Sequence, residues 1–266
     1  MTVLGTVTTC YRYPVKSMQG LAVDEVAVGP TGIAGDRAYG LIDVASGRLL
    51  AAKRTAALLE ATADDAAITL PDGSRIGVDD PDASARLSAW LGREVELRRA
   101  GDASGTGGDE ALTYEMTFDP PDDDAEVFDI PVPPGTFLDL AALHVVTTAT
   151  LDGCAAARPD LDWDVRRFRP NIVVEAEGEP FVEQSWAGRP VRIGDVALTD
   201  IMATVRCAMP LRAQPSLDQQ PRLDRQPGLF QAITELNTEI PNHLGIYAGV
   251  GVPGTIRVGD PVTVDD

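Results

Sequence analysis

The sequence predicts a mainly β protein with a few helices, of the α+β class. Three observations carry that prediction. Short runs rich in Val, Ile, Thr and Tyr recur from end to end. Gly, Pro and Asp punctuate those runs at turn spacing. Helical periodicity is confined to a few brief segments.

"VLGTVTTCYRY" (3–13) reads as a strand ended by Pro14. "LAVDEVAVG" (21–29) alternates apolar and polar and reads as a second strand, closed by Pro30 and Gly32. "AGDRAYGLIDVASGRLLAAKR" (34–54) reads as a hairpin turning at Ser46-Gly47, and "AAITLPDGSRIGV" (66–78) as another turning at Asp72-Gly73. In "DPDASARLSAWLG" (80–92), Pro81 and Asp82 start a short helix, Gly92 stops it, and Leu87, Trp90 and Leu91 share one face. "REVELRR" (93–99) follows as a strand. Strand after strand with one helix suggests a small β-barrel or sandwich over residues 1–100.

Residues 101–135 change character. "GDASGTGGDE" and "DPPDDDAEV" offer glycine, proline and acid but few core candidates, which reads as a connection or mobile loop. Residues 136–266 form a second β-rich part. "ALHVVTTATLDGCAAARP" (142–159) is a strand running into a helix stopped by Pro159, and "RPNIVVEA" (169–176) is a strand. "RPVRIGDVALTDIMATVRC" (189–207) is two strands around Gly194-Asp195. "PGLFQAITELNTEI" (227–240) has a helical period through Leu229, Ile233 and Leu236. "LGIYAGVGVPGTIRVGDPVTV" (244–264) is mainly strand.

The net charge of −19 and pI near 4.4 disfavour non-specific binding to nucleic acid or anionic membrane. No apolar run approaches the roughly 18–20 residues that cross a bilayer, and the N-terminus lacks a signal-peptide pattern, so a cytoplasmic location is expected. Lys16 and Lys53 are the only lysines among 22 cationic residues. That bias reads as genome composition or salt adaptation. Cys10, Cys154 and Cys207 are far apart, and His144 and His243 are the only histidines. Four-cysteine zinc or iron–sulfur sites and multi-histidine sites are thereby excluded or disfavoured.

Four segments put polar groups where turns meet strands. In "YPVKSMQG" (13–20), Lys16 and Ser17 are either an anion holder or a surface lysine beside a turn serine. In "GIAGDRAYGLID" (32–43), Arg37 either aims its fork at phosphate or pairs with Asp36 in a hairpin turn. In "DVRRFRPNIVV" (164–174), three arginines make the strongest local positive patch. A strand beginning near Arg169 would put Arg169 and Asn171 on one face, fit for a heterocycle or phosphate; charge compensation is the other reading. In "ATVRCAMPL" (203–211), Cys207 is either a buried structural cysteine or a thiolate favoured by Arg206 and suited to a soft metal.

"YPVKS", "GIAGDRAYGLID", "DLAALHVVTTATL", "RRFRPNIVV", "RIGDVALTDIMATVRC" and "LGIYAGVGVPGTIRVGDPV" fall in order along almost the whole chain. Together they resemble the MOSC family, in the form with a MOSC N-terminal β-barrel domain (1–100), a connection (101–135) and a MOSC β-barrel domain (136–266). The resemblance is to the branch of amidoxime reducers and hydroxylaminopurine-detoxifying proteins. It implies a molybdenum–molybdopterin cofactor held between the two domains. It places the metal-ligand cysteine on Cys207, and the cofactor contacts on Lys16, Ser17, Arg37 and Arg169, with Asn171 and Arg206 beside them. An aspartate near the metal falls on Asp139, followed here by Leu140-Ala141 where the amidoxime reducers carry Thr-Ser.

The implied activity is reduction of N-hydroxylated or N-oxygenated compounds. No ferredoxin module follows "PVTVDD", so electrons are expected from a separate flavoprotein, ferredoxin or haem protein. Two alternatives stay open: a sulfur carrier with a persulfide on Cys207 or a simple cofactor-binding protein, and a specialised metabolite enzyme whose pocket is shaped by residues 101–135 and 210–227.

Overall fold

The computed structural model describes residues 1–101, 112–117, 126–217 and 220–265. It is mainly β, and its largest element is a sheet closed on itself. The first part supplies β1 (Thr2–Arg12), β2 (Leu21–Val23), β3 (Glu25–Gly29), β4 (Gly32–Ile33) and β5 (Tyr39–Asp43). Then come β6 (Thr62–Ala63), β7 (Ala67–Thr69), β8 (Arg75–Gly77), α1 (Ala83–Leu91) and β9 (Val95–Arg99). The middle holds β10 (Thr113–Met116) and β11 (Phe128–Pro131). The last part holds β12 (Leu143–Thr147), α2 (Thr148–Ala157), β13 (Ile172–Glu175), β14 (Val191–Ile193), β15 (Val196–Val205), α3 (Gly228–Leu236), β16 (His243–Val252), β17 (Gly254–Arg257) and β18 (Pro261–Val264).

Seven strands close the barrel in the order β13-β12-β16-β15-β14-β18-β1, and β1 pairs back onto β13. Closure removes the exposed edges that an open sheet of this size would leave. Only β12 and β13 run parallel, and α2 makes the crossover that a parallel pair requires. Inside lie Val7, Val145, Ile172, Ile193, Ile246 and Val262, all essentially inaccessible. β1 is a stave of this barrel although it comes first in the chain: Thr2 faces Val264 and Thr6 faces Glu175. β3 likewise pairs with β17.

Residues 13–99 otherwise gather smaller sheets, β5-β9 and β6-β7-β8, around Val15, Leu41, Leu58, Ile68 and Leu87. The Asp72-Gly73 hairpin forms as expected, with Gly73 at φ 82. α1 ends on left-handed Gly92, as its sequence requires.

Three expectations need correcting. Residues 21–29 are not one strand: the chain breaks at Asp24, so β2 joins β1 while β3 leaves for β17. Residues 34–54 are not a full hairpin. β5 takes β9 as its partner, and the return leg keeps only the Ile42–Leu49 bridge. Residues 101–135 are not wholly a surface connection. β10 and β11 pair, and Tyr114, Thr117 and Val132 are buried, because the alternation in "LTYEM" supplies one apolar face. Most of "GDASGTGGDE" and "DPPDDDAEV" lies outside the described residues.

Residues 210–227 are likewise tied down where described. Met209–Leu211 is a buried turn, Gln214 pairs with Leu223, and Gln19 donates to Gln214 at 3.1 Å. The fully buried Arg167 donates to Pro210, Arg212 and Asp224 carbonyls and to Asp162.

Candidate functional site

A pocket of about 690 Å³, counting its open mouth, lies where the small sheets meet the barrel. Lys16, Ser17, Arg37, Asp139, Arg169, Asn171, Arg206 and Cys207 all line it, together with Lys53, His144, Phe168 and Tyr247. Every residue that the family resemblance placed at the site is brought together.

Backbone strain concentrates here. Ser17, Arg37 and Arg169 have φ of 69°, 48° and 54°, a left-handed region that side chains with a Cβ rarely occupy. The kink at Arg169 corrects the sequence reading of that segment. β13 begins only at Ile172, so strand alternation does not align Arg169 with Asn171; a turn brings both to the pocket. The same turn divides the three arginines. Arg166 pairs with Asp164 and Arg167 with Asp162, which is charge compensation, whereas Arg169 points at the pocket.

Arg169 shows the pocket's most telling feature. Its Nη1 and Nη2 are buried and have no hydrogen-bond partner among the described residues. Its guanidinium lies 4.2 Å from the centre of the Tyr13 ring, and that of Arg37 lies 4.5 Å from it. Tyr13 is held by its hydroxyl on the Pro170 carbonyl and its amide on Asp36. Asp36 also pairs with Arg37 and accepts from Asn171. Burial opposes the charge on Arg169 and lowers its pKa to about 10. An unpaired buried guanidinium is costly, and the cost is relieved by an anion.

Opposite stands a cluster built on Asp139. Lys16 donates to Oδ1 of Asp139, and Lys53 donates to Oδ2 at 3.0 Å. Lys16 also donates to the Phe137 carbonyl. Both ammonium groups face the Tyr114 ring, at 4.7 and 4.3 Å. Burial lowers Lys16 to about 8, with Asp139 opposing the shift. Burial would lower Lys53 too, but Asp139 and then Cys207 overcome it and raise its pKa. Burial would raise Asp139, but Lys16 and Lys53 hold it well below the usual carboxylate range. Asp139 is therefore an anion at neutral pH. The surface-lysine reading of Lys16 is overturned, since that side chain is 4% exposed.

Ser17 Oγ accepts the Ala52 amide at 3.0 Å, which sets the segment carrying Lys53. Both N–H groups of the Asn171 side chain are used, on the Tyr11 carbonyl and Asp36, so this amide braces the wall. Cys207 lies two residues past the end of β15 and is half-buried, whereas Cys10 and Cys154 are fully buried. Arg206 donates to the Phe168 carbonyl at 3.0 Å and to His144 at 3.2 Å. Among the described residues no group of three or more His, Cys, Asp or Glu converges; Cys207 supplies the thiol that lines this pocket, with Met209 beside it.

Lys53, Tyr114 and His144 were not singled out from sequence as site residues; Asp36 was named only as the turn partner of Arg37, and that ion pair is present. The scarcity of lysine was the one visible signal for Lys53.

Among the described residues no helix is long and apolar enough to cross a membrane. The family model of the MOSC N-terminal beta barrel domain matches residues 4–113, and that of the MOSC domain matches 134–263. The chain is 24% identical over 288 residues to mitochondrial amidoxime-reducing component 1 of Mus musculus, spanning 97% of this chain and 82% of that protein. Against the Homo sapiens protein of the same name it is 26% identical over 291 residues, with the same coverage. The crystal structure of the YUAD protein from Bacillus subtilis aligns over 97% of this chain and 93% of that one at 11% identity. Its TM-score of 0.37 is too loose to carry an argument.

Proposed function

The chain belongs to the MOSC family, in the form with an N-terminal β-barrel domain before the MOSC domain. From that premise we propose that it is a molybdenum-cofactor-dependent oxidoreductase that reduces N-hydroxylated compounds. The observation that carries this reading is one pocket lined by both a half-buried cysteine and a buried guanidinium whose two terminal nitrogens have no partner among the described residues. A soft donor and an unanswered buried charge fit a sulfur-ligated metal on an anionic, phosphate-bearing pterin.

Cys207 would hold the metal. Lys16, Ser17, Arg37, Arg169 and Arg206 would hold the anionic cofactor, with Asn171 bracing them. When bound, the cofactor supplies removal of oxygen from nitrogen. The reaction class is R–NHOH plus two electrons and two protons giving R–NH2 and water, with electrons from a separate redox protein. This chain's residues supply position and protons. Asp139 is ionised, so its role is to hold two ammonium groups in place. Lys16 Nζ, with a pKa near neutrality, is the proton-bearing atom best matched to that task.

Protein purified from a molybdenum-replete host is expected to hold about one molybdenum per chain, with Cys207→Ser abolishing it. A metal-free protein with a reductant-labile mass adduct of about 32 Da on Cys207 would instead mark a sulfur carrier and overturn the proposal.

A further inference from the structure

We infer that His144 is a positioning residue that sets Arg169 and Arg206 for the anionic ligand of the pocket. The inference rests on the anionic-ligand reading above and deepens it. His144 touches three pocket residues at once. Its main chain exchanges hydrogen bonds with Asn171: the Asn171 amide donates to the His144 carbonyl at 2.7 Å, and the His144 amide donates to Asn171 Oδ1 at 3.3 Å. Its ring lies between the two arginines, with Nδ1 3.3 Å from the Arg169 carbonyl and Nε2 3.2 Å from Arg206 Nη1.

The Leu244 carbonyl also faces the ring as an acceptor, and the side-chain contact to Arg206 together with the Arg169 carbonyl selects between the two tautomers. A guanidinium can only donate, so Nε2 must accept; a carbonyl can only accept, so Nδ1 must carry the proton. The ring is then a neutral bridge that uses both nitrogens. Burial, reinforced by the Arg206 charge, disfavours the imidazolium against the opposing pull of the Arg169 and Leu244 carbonyls. The Nδ1–H bond pins the carbonyl of Arg169, the residue whose backbone is left-handed. The Nε2 acceptor fixes one arm of Arg206, and the Phe168 carbonyl fixes another.

The surroundings hold the ring in place. Tyr247 packs against it at 5.2 Å between centroids. Gly245 has φ 79°, and a Cβ there would stand 2.9 Å from Nε2. β16 therefore comes as close to the ring as a glycine allows. Fixing Arg169 and Arg206 in advance of the ligand reduces the ordering cost of binding.

The test uses the full chain, with two readouts. Only two histidines exist, so long-range nitrogen–proton NMR of 15N-histidine protein resolves the His144 ring. The expected result at pH 7 is the neutral Nδ1-protonated tautomer. Pyrophosphate titration then reads the arginines. His144→Phe removes both bonds and is expected to raise the pyrophosphate Kd at least tenfold. His144→Asn keeps a donor near Nδ1, and His144→Gln keeps an acceptor near Nε2; each is expected to recover part of the loss.

An Nε2-protonated or charged ring, or wild-type affinity in a folded His144→Phe protein, overturns the inference. If His144→Phe does not fold, wild-type affinity in both His144→Asn and His144→Gln overturns it equally. Failure of wild-type protein to bind pyrophosphate would count against the anionic-ligand reading, while the tautomer still decides the role of His144.

Discussion

Lys16 and Lys53, the only lysines in the chain, hold the two oxygens of one carboxylate, that of Asp139. Two buried ammonium groups repel each other, and the anion between them offsets that repulsion, helped by the Tyr114 ring and the Phe137 carbonyl. An arginine in either place would be larger and could not release its proton.

Asp139→Asn is therefore expected to destabilise the protein. Breaking a fully buried ion pair costs about 3–5 kcal/mol. The Asp139 side chain is 32% exposed, which screens the interaction and brings the expectation down to about 2–3 kcal/mol. Urea unfolding at pH 7 reads this directly. A loss below about 0.5 kcal/mol would mean that the lysines find other partners.

Sulfate keeps a constant charge between pH 7 and 9, so its affinity follows the protein. The Lys16 ammonium loses its proton as pH rises through about 8, and sulfate binding should weaken over that span. Stability moves the other way. The folded pKa lies below the unfolded 10.5, so the charge costs stability below about 8 and the cost fades as pH rises toward 10.5. Lys16→Met should flatten both trends, and a calorimetric titration at pH 8.5 should show proton uptake on binding in the wild type only.

Arg169→Met should separate stability from binding. It removes two buried nitrogens that have no partner among the described residues, so the melting temperature should hold or rise. Anion affinity should fall about tenfold or more, since a charge-assisted contact contributes about 1.5–3 kcal/mol. A large drop in melting temperature would show that the Tyr13 stacking matters more than the missing bonds.

Arg167→Ala should do the reverse. It removes donors to three carbonyls and Asp162, acceptors that are buried at Pro210 and part-buried at the other three, for a loss of about 2–3 kcal/mol. Hydrogen exchange should accelerate at residues 210–217, and unchanged protection there would refute the anchoring role.

What the sequence disclosed and what it hid follow from the range of the interactions. The Asp72-Gly73 hairpin, the Gly92 helix stop and the strand-to-helix run at 142–157 depend on neighbours and were legible. So was the meeting of Lys16, Arg37, Arg169 and Cys207, through a family resemblance spanning the chain. Tyr114 and His144 acquire their places only through contacts with distant segments, and nothing local marks them. Arg166, Arg167 and Arg169 looked alike in sequence. Their separation into two anchors and one pocket residue arises from a single left-handed backbone at Arg169.

The barrel's wiring bears on how the protein is made. β1 is synthesised before every other described strand, yet it pairs with β13 and with β18, at residues 261–264. On the ribosome β2 can pair with residues 10–12 almost at once, but the β13 edge waits for residues 172–175 and the Thr2–Thr6 edge for residues 261–264. Cysteine crosslinking of Thr2 to Val264 in arrested nascent chains would time the moment at which the waiting ends.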